Sequence, residues 1–337
     1  MTRVLVTEKI HASGLRMLRE QFDVDVTLNP TPANLKEMLP RYEALLVRSS
    51  TQVTADVLDA GNHLRVVGRA GAGVDNIDVE AATRAGIVVV NAPSANSVAV
   101  AELVFGMLLS LARHIPQAQA SLREGRWDRA PYMGWELRGK TLGLLGCGRI
   151  GAEVASRARA FDMQVLACDP ALSLDRAQQL GIQAVGLEQL LSDSDIVSVH
   201  TPLLPSTRNL LDAARLRQIK RGAFLINCAR GGIVDETALL AALDSEQVAG
   251  AVLDVWANEP PLSQALVQHP RVLGLPHLGA STAEAQAHAA YEVAQGVIDV
   301  LSHRTPRNAA NCPTLDVLPA RPIALYSGVR ASAASIS

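Results

Sequence analysis

The stretch Thr141-Leu-Gly-Leu-Leu-Gly146-Cys-Gly148-Arg-Ile-Gly151, with Asp169 downstream, decides the fold. Thr141 to Leu145 is a short apolar run that reads as a buried strand. Glycines follow at 146, 148 and 151, then a helical segment over Ala152–Ala160. A second apolar run, Val165–Ala167, delivers Asp169. Strand, Gly-x-Gly-x-x-Gly, helix, strand and acid in this order form a dinucleotide fingerprint. Gly146 permits the tight turn, Gly148 admits a pyrophosphate close to the backbone, and Gly151 lets helix and strand pack together. The helix that follows points free N–H groups and its positive dipole end at that anion. Asp169 would accept hydrogen bonds from ribose hydroxyls and repel a 2′-phosphate, so the sequence predicts NAD rather than NADP.

Outward from this core, the chain of 337 residues is long enough for two domains. A net charge of −2 gives no electrostatic reason to expect nucleic acid or an acidic membrane as partner. The 48% hydrophobic content with 3% aromatics suits an α/β protein packed with Ala, Val and Leu. The four cysteines, Cys147, Cys168, Cys228 and Cys312, form no Cys-x-x-Cys pair, so no metal site is predicted and a reducing cytosol is expected. No targeting segment precedes Val4–Val6, and the apolar stretch Val98–Leu111 is short for a membrane span and contains Glu102.

The first ninety residues alternate between strand and helix patterns. Predicted strands are Val4–Val6, Val24–Thr27, Ala44–Val47, Arg65–Val67 and Val88–Val90. Predicted helices between them are Gly14–Gln21, Ala33–Leu39, Thr54–Ala60 and Val79–Ala85. Such alternation means a parallel sheet covered on both faces, with ligands beyond the carboxyl ends of its strands. Arg48 and Arg69 fall at two of those ends, where they could hold an anion or simply be solvated. Ser97 to Arg123 reads as a long helix with Ser97 as N-cap and a break at Pro116. Its apolar positions exceed one face, which points to burial against a second surface, such as another subunit. Gly125–Leu137 reads as a loop.

After Asp169 the alternation resumes, and four predicted strands run into polar residues: Ile196–Val199 into His200-Thr201-Pro202, Ala223–Ile226 into Asn227-Cys-Ala-Arg230, Ala249–Leu253 into Asp254, and Val272–Leu275 into Pro276-His277. Hydride chemistry on an alcohol requires one proton acceptor and one cation for an oxygen-bearing substrate. His277 suits the first role. Arg230 suits the second, since its planar fork matches a carboxylate. Glu259 could orient the imidazole and favour its charged form. Each also has a plain structural reading, and only their joint occurrence after the fingerprint makes them candidates. A last helix, Thr282–Leu301, is followed by an aperiodic tail.

Three blocks, Asn227-Cys-Ala-Arg-Gly-Gly-Ile-Val-Asp-Glu236, Leu253-Asp-Val-Trp-Ala-Asn-Glu-Pro-Pro261 and Pro276-His-Leu-Gly-Ala-Ser-Thr282, resemble the catalytic blocks of the D-isomer-specific 2-hydroxyacid dehydrogenases. Val67–Asp78, Asn96-Ser97 with Ala101-Glu102, and Val199–Thr207 match that pattern as well, and the likeness runs from about Val4 to Leu301. The resemblance implies two Rossmann-like, doubly wound parallel-sheet domains, the nucleotide domain inserted into the substrate domain. It places the substrate domain at residues 1–93 and 283–320 and the NAD domain at 94–282, with the active site in the cleft and a homodimer or higher homo-oligomer whose subunits pair through the nucleotide domains; the stretch 321–337, by its own composition, reads as a flexible tail. Arg230, Glu259 and His277 become the catalytic set. Gly146, Gly148, Arg149, Ile150, Gly151, Asp169, Thr201, Pro202, Thr207, Cys228, Ala229, Asp254, Gly279 and Ala280 become NAD contacts, Asp254 facing the nicotinamide carboxamide. Arg48, Ser49, Arg69, Ala72, Gly73 and Arg129, with Arg230 and His277, become contacts of a small-molecule substrate, phosphoglycerate being the implied one. Ala72 replaces a threonine of some relatives, and the sequence leaves no room for the C-terminal regulatory domains of longer members. The rivals are a glyoxylate or hydroxypyruvate reductase, and an NAD(H)-sensing protein of corepressor type.

Overall fold

The computed structural model describes residues 2–311, so the expectations for residues 312–337 lie outside the described residues. The first strands are β1 (Arg3–Val6), β2 (Asp23–Val26), β3 (Ala44–Val47), β4 (Val66–Arg69) and β5 (Val88–Val90). Helices α1 (Ala12–Arg19), α2 (Pro32–Met38), α3 (Ala55–Ala60) and α4 (Val79–Arg84) alternate with them. Then come α5 (Ser97–Ala112), α6 (Ile115–Arg123), β6 (Thr141–Leu145), α7 (Arg149–Ala160), β7 (Gln164–Cys168), α8 (Leu174–Leu180), β8 (Gln183–Ala184) and α9 (Leu187–Asp193). The chain continues through β9 (Ile196–Val199), α10 (Ala213–Gln218), β10 (Ala223–Asn227), α11 (Glu236–Asp244), β11 (Val248–Leu253), α12 (Gln264–Val267), β12 (Val272–Gly274) and α13 (Ala283–Leu301).

The chain folds as two units, one over Ser97–Gly279 and the other from the segments on either side of it. In the flanking unit the strands are ordered β2-β1-β3-β4-β5, all parallel. This is a doubly wound sheet whose order reverses at β1/β3, so a ligand crevice is expected beyond the ends of those two strands. The apolar runs of β1, β3 and β4 are buried because helices cover both faces. One face packs on α13 through Val293, Val297 and Ile298; the other packs under α2, α3 and α4 through Leu35, Val57 and Ala82.

In the second unit the order is β12-β11-β10-β9-β6-β7-β8, again all parallel, reversing at β6/β9. Val100, Val104 and Leu108 of α5 and Val154, Ala155 and Ala158 of α7 cover one face. Leu190, Leu216, Leu239 and Leu243 cover the other. Both predicted sheets are present, and strand limits differ from the sequence reading by a residue or two at some ends.

Two local expectations change. The break in the long helix falls at His114, in the left-handed region at φ 51°, and not at Pro116. Pro116 occupies the first turn of α6, where an amide hydrogen would have no partner in the helix. Ser97 is the first residue of α5, and its buried hydroxyl makes no hydrogen bond among the described residues, so it is not a side-chain N-cap. Within the described residues no single helix is long and apolar enough to cross a membrane; α5 and α6 pass that test only together and are bent by 61°.

Candidate functional site

At the β6/β9 reversal the fingerprint glycines each meet a different constraint. Gly146 has φ +94°, and a Cβ there would lie 2.8 Å from the carbonyl of His200 at the end of β9. Only glycine fits this turn. A Cβ on Gly151 would lie 2.5 Å from the Gly146 carbonyl oxygen, so α7 starts in contact with the loop. A Cβ on Gly148 would meet nothing within 4 Å, which leaves its backbone open to a ligand. Gly148 is also the N-cap of α7 and offers no side-chain cap, leaving the first-turn N–H groups of Arg149 and Ile150 without one. Asp169 completes the corner. Its carboxylate accepts from Cys147 N at 2.7 Å and Ala171 N at 2.8 Å, which fixes it beside the loop. These features fit a dinucleotide: a bare cradle for a pyrophosphate and a positioned acid for a ribose diol.

Thr201, Pro202 and Thr207 follow β9. The Thr207 hydroxyl donates to the Pro202 carbonyl at 2.6 Å and accepts from Leu204 N at 2.7 Å, which folds that loop on itself. His200 precedes them with its buried Nδ1 making no hydrogen bond among the described residues and its Nε2 2.8 Å from the Ser198 hydroxyl. Burial pushes its imidazole down to about 4, so the ring is neutral. Asp195, at the other end of β9, accepts from Thr141 N at 2.9 Å and Lys220 at 2.8 Å, which is a structural clamp.

The chemistry-bearing side chains gather after β10, β11 and β12. Cys228 and Ala229 are buried, and burial pushes the Cys228 thiol up, so it stays protonated. Asn227 ties the loop: its Nδ2 donates to the Arg230 carbonyl at 2.9 Å and its Oδ1 accepts from Ala229 N at 3.1 Å. The Arg230 guanidinium donates to the Ala229 carbonyl at 2.7 Å. A Cβ on Gly231 would lie 1.8 Å from the Trp256 carbonyl oxygen, so this loop is pressed against the segment carrying Glu259. That segment is braced by Glu236, which accepts from Ala257 N at 2.6 Å.

Glu259 and His277 meet directly, Oε2 to Nδ1 at 2.8 Å. An ionised carboxylate can only accept, so Nδ1 carries the proton and Nε2 is left to exchange one. His277 has φ 58°, uncommon for a residue with a Cβ. Asp254 secures this backbone: its carbonyl accepts from His277 N at 2.8 Å, and its carboxylate accepts from Leu278 N at 2.6 Å and Gly279 N at 2.8 Å. Asp254 is fully buried. Sequence reading gave it a cofactor contact alone; here it braces the histidine loop. Arg129 is exposed at the start of a 3-10 turn.

Arg48, Ser49, Arg69, Ala72 and Gly73 belong to the flanking unit, as does Ala280. Arg48 follows β3 at the sheet's own reversal, and its guanidinium donates to the Lys9 carbonyl at 3.2 Å. Arg69 ends β4; its Nε donates to Asn76 at 2.7 Å and its Nη1 to the Gly73 carbonyl at 2.8 Å. Ser49 is exposed. The Ala72 carbonyl accepts from Asn91 at 2.6 Å. A small pocket lined by His11, Arg48, Gly71, Ala72, Asn96 and Gln286 opens here. The buried Asn96 Oδ1 has no partner among the described residues. Sequence reading did not single out His11 or Gln286, since a lone polar residue on a helix gives no signal.

Residues 105–279 match the family model of the D-isomer specific 2-hydroxyacid dehydrogenase, NAD binding domain. The chain is 48% identical over 316 residues to D-3-phosphoglycerate dehydrogenase of Rattus norvegicus, covering 94% of this chain and 59% of that one. It is 47% identical over 315 residues to D-3-phosphoglycerate dehydrogenase of Bacillus subtilis, covering 94% and 60%. It thus spans about six tenths of the length of these curated relatives. Among solved structures, the TT0316 protein of Thermus thermophilus superposes with a TM-score of 0.85 at 36% identity, over 92% of this chain and 100% of that one.

Proposed function

Because the chain belongs to the D-isomer-specific 2-hydroxyacid dehydrogenases, which use a nicotinamide dinucleotide, we propose that it oxidises D-3-phosphoglycerate to 3-phosphohydroxypyruvate. The observation that carries this is the Glu259–His277 pair at 2.8 Å, with Arg230 on the loop pressed against the Glu259 segment. The phosphoglycerate assignment is supported by the relatives' names and by Arg48 and Arg69, two more cations than a small uncharged tail requires.

Bound on the Gly146–Gly151 turn, NAD supplies the hydride acceptor. Arg230 holds the substrate carboxylate. His277 takes the C2 hydroxyl proton on Nε2 as the C2 hydride departs, and Glu259 stabilises the imidazolium so formed. In the reverse direction the same proton is returned to the carbonyl oxygen. Arg48 and Arg69 hold the phosphate. Asp169 selects NAD over NADP, since a carboxylate repels a 2′-phosphate. We assign the protein to the cytosol and to homodimers. Support for the dimer is the exposure of Val98, Ile115, Leu122, Trp127 and Met133, five apolar side chains on and after α5 and α6 that pairing of subunits there would cover.

The test is a panel of phosphoglycerate, D-glycerate, lactate and malate, followed by NADH absorbance. Phosphoglycerate should exceed glycerate in kcat/KM by about tenfold or more, the worth of one charge-assisted contact. Equal values would overturn the substrate assignment. NADH binding without turnover on any substrate would replace the enzyme by a sensor.

A further inference from the structure

We propose that Glu8 and Asn76 are positioning residues for phosphate recognition: together they clamp the Arg48–Thr51 loop, and Asn76 also aims Arg69. This rests on the reading that Arg48 and Arg69 hold the substrate phosphate.

The loop after β3 has no secondary structure of its own, yet both sides of its backbone are bound. Glu8 leaves the end of β1, next to β3 in the sheet and on the other side of the strand reversal. Its carboxylate accepts from Arg48 N at 2.8 Å, Thr51 N at 2.9 Å and Ser50 N at 3.1 Å. The residue is buried at 7% exposure. Burial pushes its carboxyl up, but the N–H groups of Thr51, Arg48 and Ser50 outweigh this and hold it below the usual range, so it is ionised.

Asn76 takes the carbonyl side. Its Nδ2 donates to Thr51 O at 2.7 Å and Arg48 O at 2.9 Å. Its Oδ1 is spent on Arg69 Nε at 2.7 Å. One buried amide therefore joins the peptide of one arginine to the guanidinium of the other. Thr7 adds a further tie, its hydroxyl 3.0 Å from that of Thr51. A core needs none of this. A polar network in which the donors and acceptors match costs less than one left open, and it fixes geometry that apolar packing does not. What it fixes is the spacing of two cations, and bidentate anion recognition is sensitive to that spacing.

The test uses the full chain with phosphoglycerate and D-glycerate as paired substrates. Variants are Asn76→Ala, Glu8→Gln, Arg69→Ala and the double Asn76→Ala/Arg69→Ala. Asn76→Ala should raise KM for phosphoglycerate about tenfold while kcat changes much less, and should lower the phosphoglycerate-to-glycerate ratio of kcat/KM about as much. NADH affinity should not change. In the Arg69→Ala background Asn76→Ala should cost less than it does alone, since the part that acts through that side chain is already lost and only the hold on the Arg48–Thr51 loop remains. Glu8→Gln preserves shape and carries the test if Asn76→Ala does not fold; it too should lower the ratio. A parallel fall for both substrates, an unchanged KM, or fully multiplicative effects in the double variant would overturn the inference. If Arg69→Ala itself leaves KM for phosphoglycerate unchanged, the phosphate-site reading is what has failed, and the positioning role falls with it.

Discussion

His277 occupies the left-handed backbone region, where a side chain is costly, and three backbone N–H groups, of His277, Leu278 and Gly279, donate to Asp254 and hold the loop there. The position turns the imidazole toward Glu259 rather than leaving it to find a rotamer in solvent. Both side chains remain near half exposed, at 47% and 41%, so the pair is arranged for exchange with a ligand and not for burial. The contact decides which ring nitrogen carries the proton and sets a negative charge beside the imidazolium that forms when the substrate proton is taken. Glu259→Gln keeps an acceptor for Nδ1–H but removes the charge, so kcat/KM should fall in both directions with NADH binding retained. His277→Asn should cost about 10²–10⁴-fold in both directions, again with NADH binding retained. An unchanged kcat/KM in Glu259→Gln would remove Glu259 as the electrostatic partner.

At the scale of elements, periodicity and glycine chemistry located nearly every strand, because two parallel sheets bury both faces and their strands read as unbroken apolar runs. Boundaries slipped where a residue's role depends on its neighbours. Pro116 looks like a helix breaker in isolation, but the chain bends two residues earlier and uses it to start α6. Helix α7 begins at Arg149 and not Ala152, since Gly151 in the first turn is selected by contact with Gly146 and not by helix propensity. Strand β9 shows what no pattern could reveal. His200 and Asp195 look alike from the sequence, polar residues flanking an apolar run. One is a buried neutral imidazole; the other is a carboxylate that Lys220 and Thr141 N hold below the usual range against its partial burial. Acid acts on both with the same sign. His200 is held neutral down to about 4, while an unfolded histidine protonates below about 6.5, so the unfolded chain binds the extra proton in between. Asp195 adds a loss at lower pH, as its folded-state carboxylate is protonated. Chemical denaturation should therefore show stability falling from about pH 6.5 toward pH 4, by at most about 1.4 kcal/mol per pH unit from this histidine. His200→Gln should flatten that window; a slope unchanged by the substitution would mean the ring titrates freely in the fold.

For the whole molecule, the division into units separates two kinds of legibility. The nucleotide corner was readable because its logic is local: Gly146 to Asp169 lies in one β-α-β passage, and each residue's task follows from the one before it. The proposed catalytic set spans Arg230 to His277 across three strand ends, and its residues carried meaning only as a group that resembled a known family. The braces, Glu8, Asn76, Glu236 and the carboxylate of Asp254, serve backbone groups distant in sequence, so nothing near them signals their use. The same division permits a clean measurement. All three tryptophans, Trp127, Trp135 and Trp256, fall within Ser97–Gly279, as do the fingerprint and Asp169. Tryptophan fluorescence therefore follows the nucleotide unit alone, while circular dichroism follows both. A ligand that binds only the folded form at one hundred times its Kd adds about 2.7 kcal/mol. For a unit of this size that raises the Trp-monitored midpoint by roughly 5–10 °C. NADH should produce this shift in the wild type, with NADPH well behind it. Asp169→Ala should shrink the NADH shift and narrow the gap to NADPH, because the ribose loses its acceptor and a 2′-phosphate loses its repulsion. Arg69→Ala, whose changes lie in the unit that contains no tryptophan, should leave the NADH shift as it was. Equal shifts with NADH and NADPH in the wild type would remove Asp169 as the selector. A shift lost in Arg69→Ala would mean that the arginine serves the nucleotide and not the phosphate of the substrate.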